Sequence, residues 1–134
     1  MLASFFAPDP LDAQVLCERC QSRDTRVKTT EVLHWPPVLV LSLKRFELDA
    51  RTMLHHKITH HVRYEMELPD VAQGRYLLRA VIVHQGRRAG AGHYVAYVRA
   101  INDAWYYCND RMTPRKVAPA TVLAQQAYML IYEQ

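Results

Sequence analysis

Apolar residues fall into short runs of strand length along the chain, and these runs predict a fold rich in β-structure. Residues 38–43 are almost continuously apolar, which predicts a strand that is covered on both faces. Residues 62–68 instead alternate apolar and polar positions, the period-two pattern of a strand with one buried face. Both kinds of strand are therefore expected in this protein.

Three further runs predict the clearest strands of the chain. Residues 76–84 form a long strand-like segment, and residues 94–98 form another one after a segment rich in glycine, arginine and alanine. A short turn at residues 102–103 then leads into residues 105–108. The last two of these strands make the strongest hairpin signal in the sequence.

Weaker signals predict a strand near the start of the chain and a helix near its end. Residues 25–33 are rich in valine and threonine, and this strand must end before the proline pair at 36–37, because proline has no N–H to donate within a sheet. Pro119 suits the first turn of a helix, and residues 119–126 are predicted to be helical. Residues 127–132 are predicted to form the closing strand.

The remaining segments show no hydrophobic periodicity and are predicted to be irregular. They are the first sixteen residues, the histidine-rich segment 47–61, a turn at 69–74 and a loop at 85–92. The whole pattern indicates a single α+β domain, mostly antiparallel sheet with one short helix.

Composition indicates a soluble globular protein and gives no sign of a nucleic-acid or membrane partner. Half of the 134 residues are hydrophobic and 22% are charged, the balance of a chain with a packed core. The net charge of +4 comes from scattered residues and not from one basic cluster. The longest apolar run is far shorter than the roughly 20 residues that cross a bilayer, and the N-terminus does not resemble a signal peptide.

The three cysteines indicate a reducing compartment and half of a metal site. An odd count with one C-x-x-C pair, Cys17 and Cys20, does not make a disulfide framework, so we expect free thiols and a cytoplasmic or nuclear protein. A closed zinc site needs four ligands, so either further ligands precede this segment or the pair binds no metal. Cys108 lies within a predicted strand, where we expect it to face the core as an unreactive thiol.

His93 is the main candidate for chemistry because it lies where a glycine-containing loop enters an apolar strand. A general base needs a rigid support and an open side toward its substrate, and imidazole titrates near neutral pH. Antiparallel pairing of residues 94–98 with 105–108 would return Asn109 to the side of His93. Asn109 would then accept the Nδ1 proton of His93, as the third member of a Cys-His-Asn arrangement does. Taken alone, this geometry also fits a structural histidine.

Several motifs occur in a fixed order around His93. They are Trp35-Pro-Pro to Lys44-Arg45-Phe46, Tyr76-x-Leu-x-Ala-Val-x-x-His84-x-Gly86, Gly92-His93-Tyr94-x-Ala96-Tyr97, Trp105-Tyr106, Asn109-Asp110 and Ala127-Tyr-x-Leu-x-Tyr132. Together they resemble the His box and the preceding strand of the ubiquitin-specific proteases, over nearly the whole chain. The resemblance implies a papain-like cysteine protease fold, with residues 38–134 as its palm and residues 17–33 as a remnant of its zinc-binding fingers.

The same resemblance implies roles for individual residues. His93 resembles the family's general base, Asn109 its orienting residue, and Asp110 the neighbouring acid that helps to polarise the site. Segment 85–92 resembles the blocking loop over the ubiquitin tail, where glycine leaves room for an extended peptide. Cys17 and Cys20 resemble the second zinc-binding pair of the fingers. The positions expected to bind substrate near the ubiquitin tail or its docking face are Phe46, His84, Gly92 and Tyr94.

The implied activity is deubiquitination, the thiol-dependent hydrolysis of the (iso)peptide bond after the C-terminal glycine of ubiquitin. It needs no cofactor for catalysis, and structural zinc would be present only if upstream ligands exist. The family's cysteine box and first zinc-binding pair do not occur in the sequence, so the thumb and most of the fingers are missing from it. We expect a nucleophilic cysteine upstream and an inactive segment without it. The alternative is a catalytically inactive module that binds ubiquitin or ubiquitinated proteins.

Overall fold

The computed structural model describes residues 2–68, 74–88 and 90–134, which form two compact units divided between Trp35 and Pro36. No helix within these ranges is long and apolar enough to cross a membrane. The elements are α1 (Leu2–Phe6), β1 (Asp9–Leu16), β2 (Arg23–Lys28), β3 (Val38–Ser42), β4 (Phe46–Asp49), β5 (Leu54–Lys57), β6 (Glu67–Leu68), β7 (Tyr76–Arg88), β8 (Ala91–Arg99), β9 (Trp105–Cys108), β10 (Arg115–Val117), α2 (Pro119–Leu123) and β11 (Met129–Glu133).

The N-terminal unit contains a two-stranded antiparallel ribbon. β1 pairs with β2, and the register shifts between Pro10 and Gln14. The prediction that the first sixteen residues are irregular was wrong, because α1 and β1 lie there. Proline was taken as a turn signal, but a two-stranded ribbon leaves one edge of each strand free and tolerates Pro10. β2 is also shorter than the predicted strand at 25–33.

The C-terminal unit is built on a seven-stranded antiparallel sheet. Its strand order is β10-β9-β8-β7-β11-β3, and β6 pairs with the first two residues of β7, Tyr76 and Leu77. This architecture confirms the predicted fold class. The predicted strands at 76–84, 94–98, 105–108 and 127–132 correspond to β7, β8, β9 and β11, although β7 and β8 are longer than predicted and β11 begins two residues later.

One face of the central strands forms the core. Side chains alternate along each strand, so every second residue of β8 and β11 faces inward. In β7 the inward positions change from Tyr76 and Leu78 to Val81 and Val83, because the register with β11 shifts between them. Tyr64, before β6, and Val122, in α2, are buried as well. The Tyr64 hydroxyl donates to the Val122 carbonyl at 2.5 Å. The most completely buried side chains are Tyr76, Leu78, Val81, Val122, Leu130 and Tyr132.

Two predicted strands differ from the structure at the margin of the sheet. Among the residues that the structure describes, β3 is an edge strand that pairs only with β11. Val38 and Val40 are 49% and 53% exposed, so the prediction of a strand covered on both faces was wrong. A continuous apolar run does not by itself show how many faces are covered. Of the predicted strand at 62–68, only Glu67–Leu68 is paired, as β6.

Two segments predicted as loops are hairpins. β4 and β5 occupy most of segment 47–61, and Asp49 stabilises their turn by accepting the backbone N–H groups of Arg51 and Thr52. The predicted loop at 85–92 is largely strand, because β7 continues to Arg88 and β8 begins at Ala91. Of the predicted turn at 69–74, residues 69–73 lie outside the described ranges.

The helix and the third cysteine also differ in detail from the predictions. α2 begins at Pro119 as predicted but ends at Leu123, and α1 is a second helix that was not predicted. Cys108 pairs with Ala96, on the face opposite to Val95 and Tyr97, and is only half-buried. The expectation that Cys108 faces the core was therefore wrong, because Trp105 and Tyr107 of β9 lie on the core side and Cys108 lies on the other side.

A buried arginine joins three parts of the C-terminal unit. Arg45 is 3% exposed, and its guanidinium donates to the carbonyls of Ala127 at 2.9 Å and His60 at 2.6 Å. Burial lowers the pKa of Arg45. Because the planar guanidinium donates in several directions at once, this side chain links the end of β3, the segment after β5 and the start of β11.

Candidate active site

The β7–β8 hairpin positions His93. Gln85 lies across from His93, and Val83 lies across from the buried Val95. Just beyond the Gln85–His93 pair the register shifts, and Gly86 has a φ of 146°, a backbone angle that L-residues with a side chain rarely adopt. The strand pairing is therefore regular on the Val95 side of His93 and irregular on the Ala91 side. The His93 side chain remains 42% exposed.

The end of β9 brings Asn109 to His93. Ala96 pairs with Cys108, so the register continued by one residue sets Asn109 across from Val95. His93 is two residues away from Val95 on the same face. The Asn109 Oδ1 atom lies 2.6 Å from His93 Nε2. The structure thus brings together the two side chains that the sequence placed near each other.

The nitrogen of His93 that meets Asn109 is Nε2, whereas Nδ1 was expected from the sequence. An amide oxygen can only accept, so Nε2 carries a proton, and whenever the ring is neutral Nδ1 is its acceptor nitrogen. The physical reason is the diagonal placement of the two residues, whose side chains start about 7–8 Å apart. At that separation the outer nitrogen of the imidazole reaches the amide.

Two neighbours complete this group. The Asn109 Nδ2 atom donates to the Tyr107 hydroxyl at 3.2 Å, so both ends of the amide are bonded. Asp110 has a φ of 43°, and its Oδ2 atom lies 3.9 Å from His93 Nε2 with the side chain 73% exposed. The carboxylate is close enough to favour a proton on Nε2, but solvent weakens such an exposed pair.

The predicted substrate-binding residues form a separate group on the other face of the same hairpin. His84 lies across from Tyr94, so both point away from the face that carries His93. The His84 ring centroid is 5.5 Å from that of Phe46, 4.8 Å from that of Tyr94 and 6.3 Å from that of Tyr128. We call these four residues the aromatic cluster. Tyr128 was missed in the sequence because it was taken only as part of a strand motif.

His84 is the buried centre of the aromatic cluster. It is 4% exposed, and its Nδ1 atom has no hydrogen-bond partner among the described residues. Burial lowers the pKa of His84, and the nearby Lys57 ammonium lowers it further. The ring is therefore held neutral by its surroundings, whereas Tyr94 at the edge of the cluster is 48% exposed.

The packing of His84 requires a glycine at position 92. A Cβ at position 92 would lie 2.2 Å from His84 Nε2 and 2.6 Å from the Gln85 carbonyl oxygen. At Gly90 a Cβ would meet nothing within 4 Å. The missing side chain at position 92 thus makes room for the histidine within the chain itself.

Lys57 connects the β4–β5 hairpin to the same region. Its ammonium donates to the carbonyl oxygens of His84 at 2.6 Å and Gly86 at 2.9 Å. Desolvation lowers the pKa of Lys57, and the charge of Arg45 contributes in the same direction. Lys57 therefore ties β5 to the point where β7 departs from regular pairing.

Comparison with known proteins assigns this arrangement to a family. The family model described as ubiquitin carboxyl-terminal hydrolase matches residues 10–132, which is nearly the whole chain. The chain belongs to the ubiquitin carboxyl-terminal hydrolase family. The resemblance to ubiquitin-specific proteases inferred from the ordered motifs is confirmed.

Curated relatives of this hydrolase family from Arabidopsis thaliana are much longer than this chain. Ubiquitin carboxyl-terminal hydrolase 21 is 34% identical over 142 residues, which cover 98% of this chain and 19% of that protein. Ubiquitin carboxyl-terminal hydrolase 23 is 35% identical over 138 residues, covering 98% of this chain and 16% of that protein. The chain thus spans less than a fifth of the length of either relative.

Solved structures of hydrolases of this kind share the fold. The SAGA DUB module with Ubp8, Sgf11, Sus1 and Sgf73 bound to monoubiquitin contains a chain that matches with a TM-score of 0.82 and 29% identity. A yeast SAGA DUB module matches with a TM-score of 0.85 and 28% identity. In both cases the match covers 98% of this chain and 31% of the other chain. This agreement supports the papain-like fold.

The cysteine pair of this family member lies in the turn between β1 and β2. The backbone N–H of Cys17 donates to the Ser22 carbonyl, and Cys20 Sγ lies 3.0 Å from Ser22 Oγ. Hydrogen bonding from Ser22 is the main cause that lowers the pKa of Cys20 to about 7. Within the described ranges no group of three His, Cys, Asp or Glu side chains could hold a metal ion. A tetrahedral zinc site needs four ligands, and the described residues provide no more than these two thiols at this turn.

Proposed function

We propose that this chain is the histidine-bearing part of a cysteine protease that removes ubiquitin from proteins. The 2.6 Å contact between His93 Nε2 and Asn109 Oδ1 carries the proposal, because it leaves Nδ1 available to a thiol. The family and the neighbours solved with monoubiquitin and ubiquitin aldehyde support ubiquitin as the substrate. The nucleophilic cysteine comes from outside these 134 residues, which contain no cysteine box.

In this mechanism His93 moves a proton twice in each half of the reaction. Nδ1 takes the proton of the thiol, and the thiolate attacks the carbonyl carbon of the last glycine of ubiquitin. The imidazolium then gives that proton to the leaving amine, and a thioester remains. Nδ1 next takes a proton from water, and the hydroxide attacks the thioester and expels the thiolate. The imidazolium returns its proton to the thiolate, and ubiquitin leaves with its C-terminal carboxyl group. Asn109 keeps the proton on Nε2 throughout.

The remaining residues have supporting roles in the proposal. Asp110 stabilises the imidazolium through its charge, an effect that salt would weaken because the carboxylate is exposed. Phe46, His84, Gly92 and Tyr94 border the path of the ubiquitin tail, with Tyr94 as the accessible member and His84 as its packed support. The cysteine pair would bind structural zinc only with two ligands from elsewhere. Its thiols fit a reduced compartment such as the cytoplasm or nucleus.

Hydrolysis of a fluorogenic ubiquitin C-terminal amide by the native protein tests the proposal. His93→Ala is expected to lower kcat/KM by about 10²–10⁴-fold, the usual contribution of a general base. Asn109→Ala should give a smaller loss, because the base remains but its proton is no longer directed. The matched control is His55→Ala, on an exposed position of β5. Full activity of the His93 variant would refute the assigned base.

The second candidate is a catalytically inactive module that binds ubiquitin. One observation favours it, since Cys108, the cysteine of the C-terminal unit, is on the face opposite to the one that carries His93. Intact-mass measurement and N-terminal sequencing of the native protein separate the two candidates. A longer species with an upstream cysteine box would support the protease. A species of 15.6 kDa that binds ubiquitin without cleaving it would support the binding module.

A further inference from the structure

His93 contacts the oxygen of the Asn109 side-chain amide, and the Tyr107 hydroxyl contacts its nitrogen. The Asn109 amide accepts from His93 Nε2 at 2.6 Å through Oδ1 and donates to the Tyr107 hydroxyl at 3.2 Å through Nδ2. A terminal amide rotates freely over a broad range unless its surroundings restrain it. The hydroxyl is therefore a second anchor for the group that orients the histidine.

The Tyr107 ring is itself held by the two strands beside it. Tyr97 on β8 and Arg115 on β10 both lie directly across from Tyr107. The ring centroids of Tyr97 and Tyr107 are 5.3 Å apart, and the Arg115 guanidinium carbon lies 5.4 Å from the Tyr107 centroid. Tyr97 is 7% exposed and belongs to the core. The hydroxyl is thus fixed to the packed part of the sheet, while Asn109 lies beyond the end of β9.

The position of the amide decides which nitrogen of His93 can act. With Oδ1 toward Nε2, the proton stays on Nε2 and Nδ1 can receive one. With Nδ2 toward Nε2, the ring would have to carry its proton on Nδ1, and that nitrogen could not accept the proton of a thiol. The Tyr107 hydroxyl can donate as well as accept, so it restrains the rotation of the amide without choosing which end faces His93. The Asp110 carboxylate, 3.9 Å from Nε2, favours the first arrangement. Free rotation of Asn109 would therefore mix a productive tautomer with an unproductive one.

We propose that Tyr107 is a positioning residue that restrains the rotation of the Asn109 amide, so that Asn109 and Asp110 together hold the proton of His93 on Nε2. This inference rests on the proposed function, because a tautomer matters only if His93 is the base. Tyr107 touches neither His93 nor the reacting atoms, so its effect is indirect. It acts on the chemical step and not on ubiquitin binding.

Two measurements on the native protein test the inference with Tyr107→Phe, which keeps the ring and removes only the hydroxyl. The first is the imidazole ¹⁵N chemical shifts of His93 above its titration. We expect the wild type to show a protonated Nε2, and the variant to show shifts averaged toward the other tautomer. The second is hydrolysis of the fluorogenic ubiquitin amide. We expect kcat to fall about 2- to 10-fold, the scale of one neutral hydrogen bond, with KM unchanged.

The control variant is Tyr106→Phe, which removes a hydroxyl from the neighbouring residue on the opposite face of β9. It should change neither the shifts of His93 nor kcat. Unchanged shifts and unchanged kcat in Tyr107→Phe would overturn the inference while leaving the proposed function in place. A rise in KM alone would overturn it too. A wild-type protein with no hydrolytic activity would instead refute the proposed function, and the ¹⁵N shifts would still show whether Tyr107 fixes the tautomer.

Discussion

The two histidines of the β7–β8 hairpin have opposite environments although they lie on paired strands. His84 is 4% exposed, is surrounded by aromatic rings and has an Nδ1 atom without a hydrogen-bond partner among the described residues. His93 has a side chain that is 42% exposed and is bonded to Asn109. The first is built into the packing of the hairpin. The second is presented at its surface with one nitrogen bonded and the other available.

This difference shows that a reactive histidine is recognised by its partners and not by its place in a strand. Both residues adjoin the same glycine-containing segment, and both belong to the motif that resembles the protease family. Only His93 combines accessibility with a neighbour that fixes its tautomer, which is what general base catalysis needs. His84 carries structure, and changes around it should affect stability before chemistry.

The largest expected loss of stability comes from adding a side chain at Gly92, against the His84 ring. Gly92→Ala would place a Cβ 2.2 Å from His84 Nε2, so the ring or the backbone must move. We expect a loss of about 1–3 kcal/mol in the free energy of unfolding, the usual range for overpacking. Chemical denaturation of the chain measures it. Gly90→Ala is the matched control, expected to stay within about 0.5 kcal/mol because no atom lies within 4 Å of the new Cβ. Equal losses in both variants would contradict the tight packing of His84.

An intermediate effect is expected on the pH dependence of stability. Burial and Lys57 hold the pKa of His84 below its ordinary value of 6.5, so the unfolded chain binds a proton at higher pH than the folded one. The stability that neutral His84 contributes is therefore present above pH 6.5 and lost as the pH falls toward the lowered pKa. Melting temperatures at about pH 7.5 and about pH 5 should differ less in His84→Gln than in the wild type. His55→Gln, at an exposed position, should leave the difference unchanged. An identical pH response in His84→Gln and the wild type would argue against a buried neutral ring.

The smallest loss of stability is expected at the His93–Asn109 pair, where the chemistry is proposed. Asn109→Ala removes the hydrogen bond to His93 from a half-exposed site, and one such bond contributes little net stability. We expect the free energy of unfolding to change by no more than about 1 kcal/mol. Denaturation of this variant beside Gly92→Ala makes the comparison direct. A larger loss for Asn109→Ala would show that the His93–Asn109 pair is a structural element of the sheet.

The strands around the site could be predicted because their patterns match the environment that they occupy. β8 and β9 contain apolar runs on either side of a short turn, and their predicted pairing correctly returned Asn109 to His93. The β4–β5 hairpin was missed because each of its strands is only four residues long and β5 carries a single apolar residue, Leu54, to match the alternation of Phe46 and Leu48 in β4. Its one local signal was Asp49, whose carboxylate caps the turn.

The sequence predicted that His93 and Asn109 lie together, but it did not predict the geometry of their contact. Motif order pointed to these two residues and to Phe46, His84 and Tyr94, but it could not show that Nε2 is the bonded nitrogen of His93. That detail depends on the diagonal spacing of side chains across two strands. Tyr107 was not singled out because its role requires a contact between side chains two residues apart on a strand end.

The order of residues in β8 limits where this hairpin can change in length. His93 and Tyr94 are consecutive, so inserting or deleting one residue between Gly92 and Val95 would reverse the parity of the strand and send each side chain to the other's face. The tip between Arg88 and Ala91 has no such restriction, because residues added there leave the pairing of Gln85 with His93 intact. Insertions and deletions among related sequences should therefore accumulate at the tip and be absent from the stretch between the glycine and the core valine.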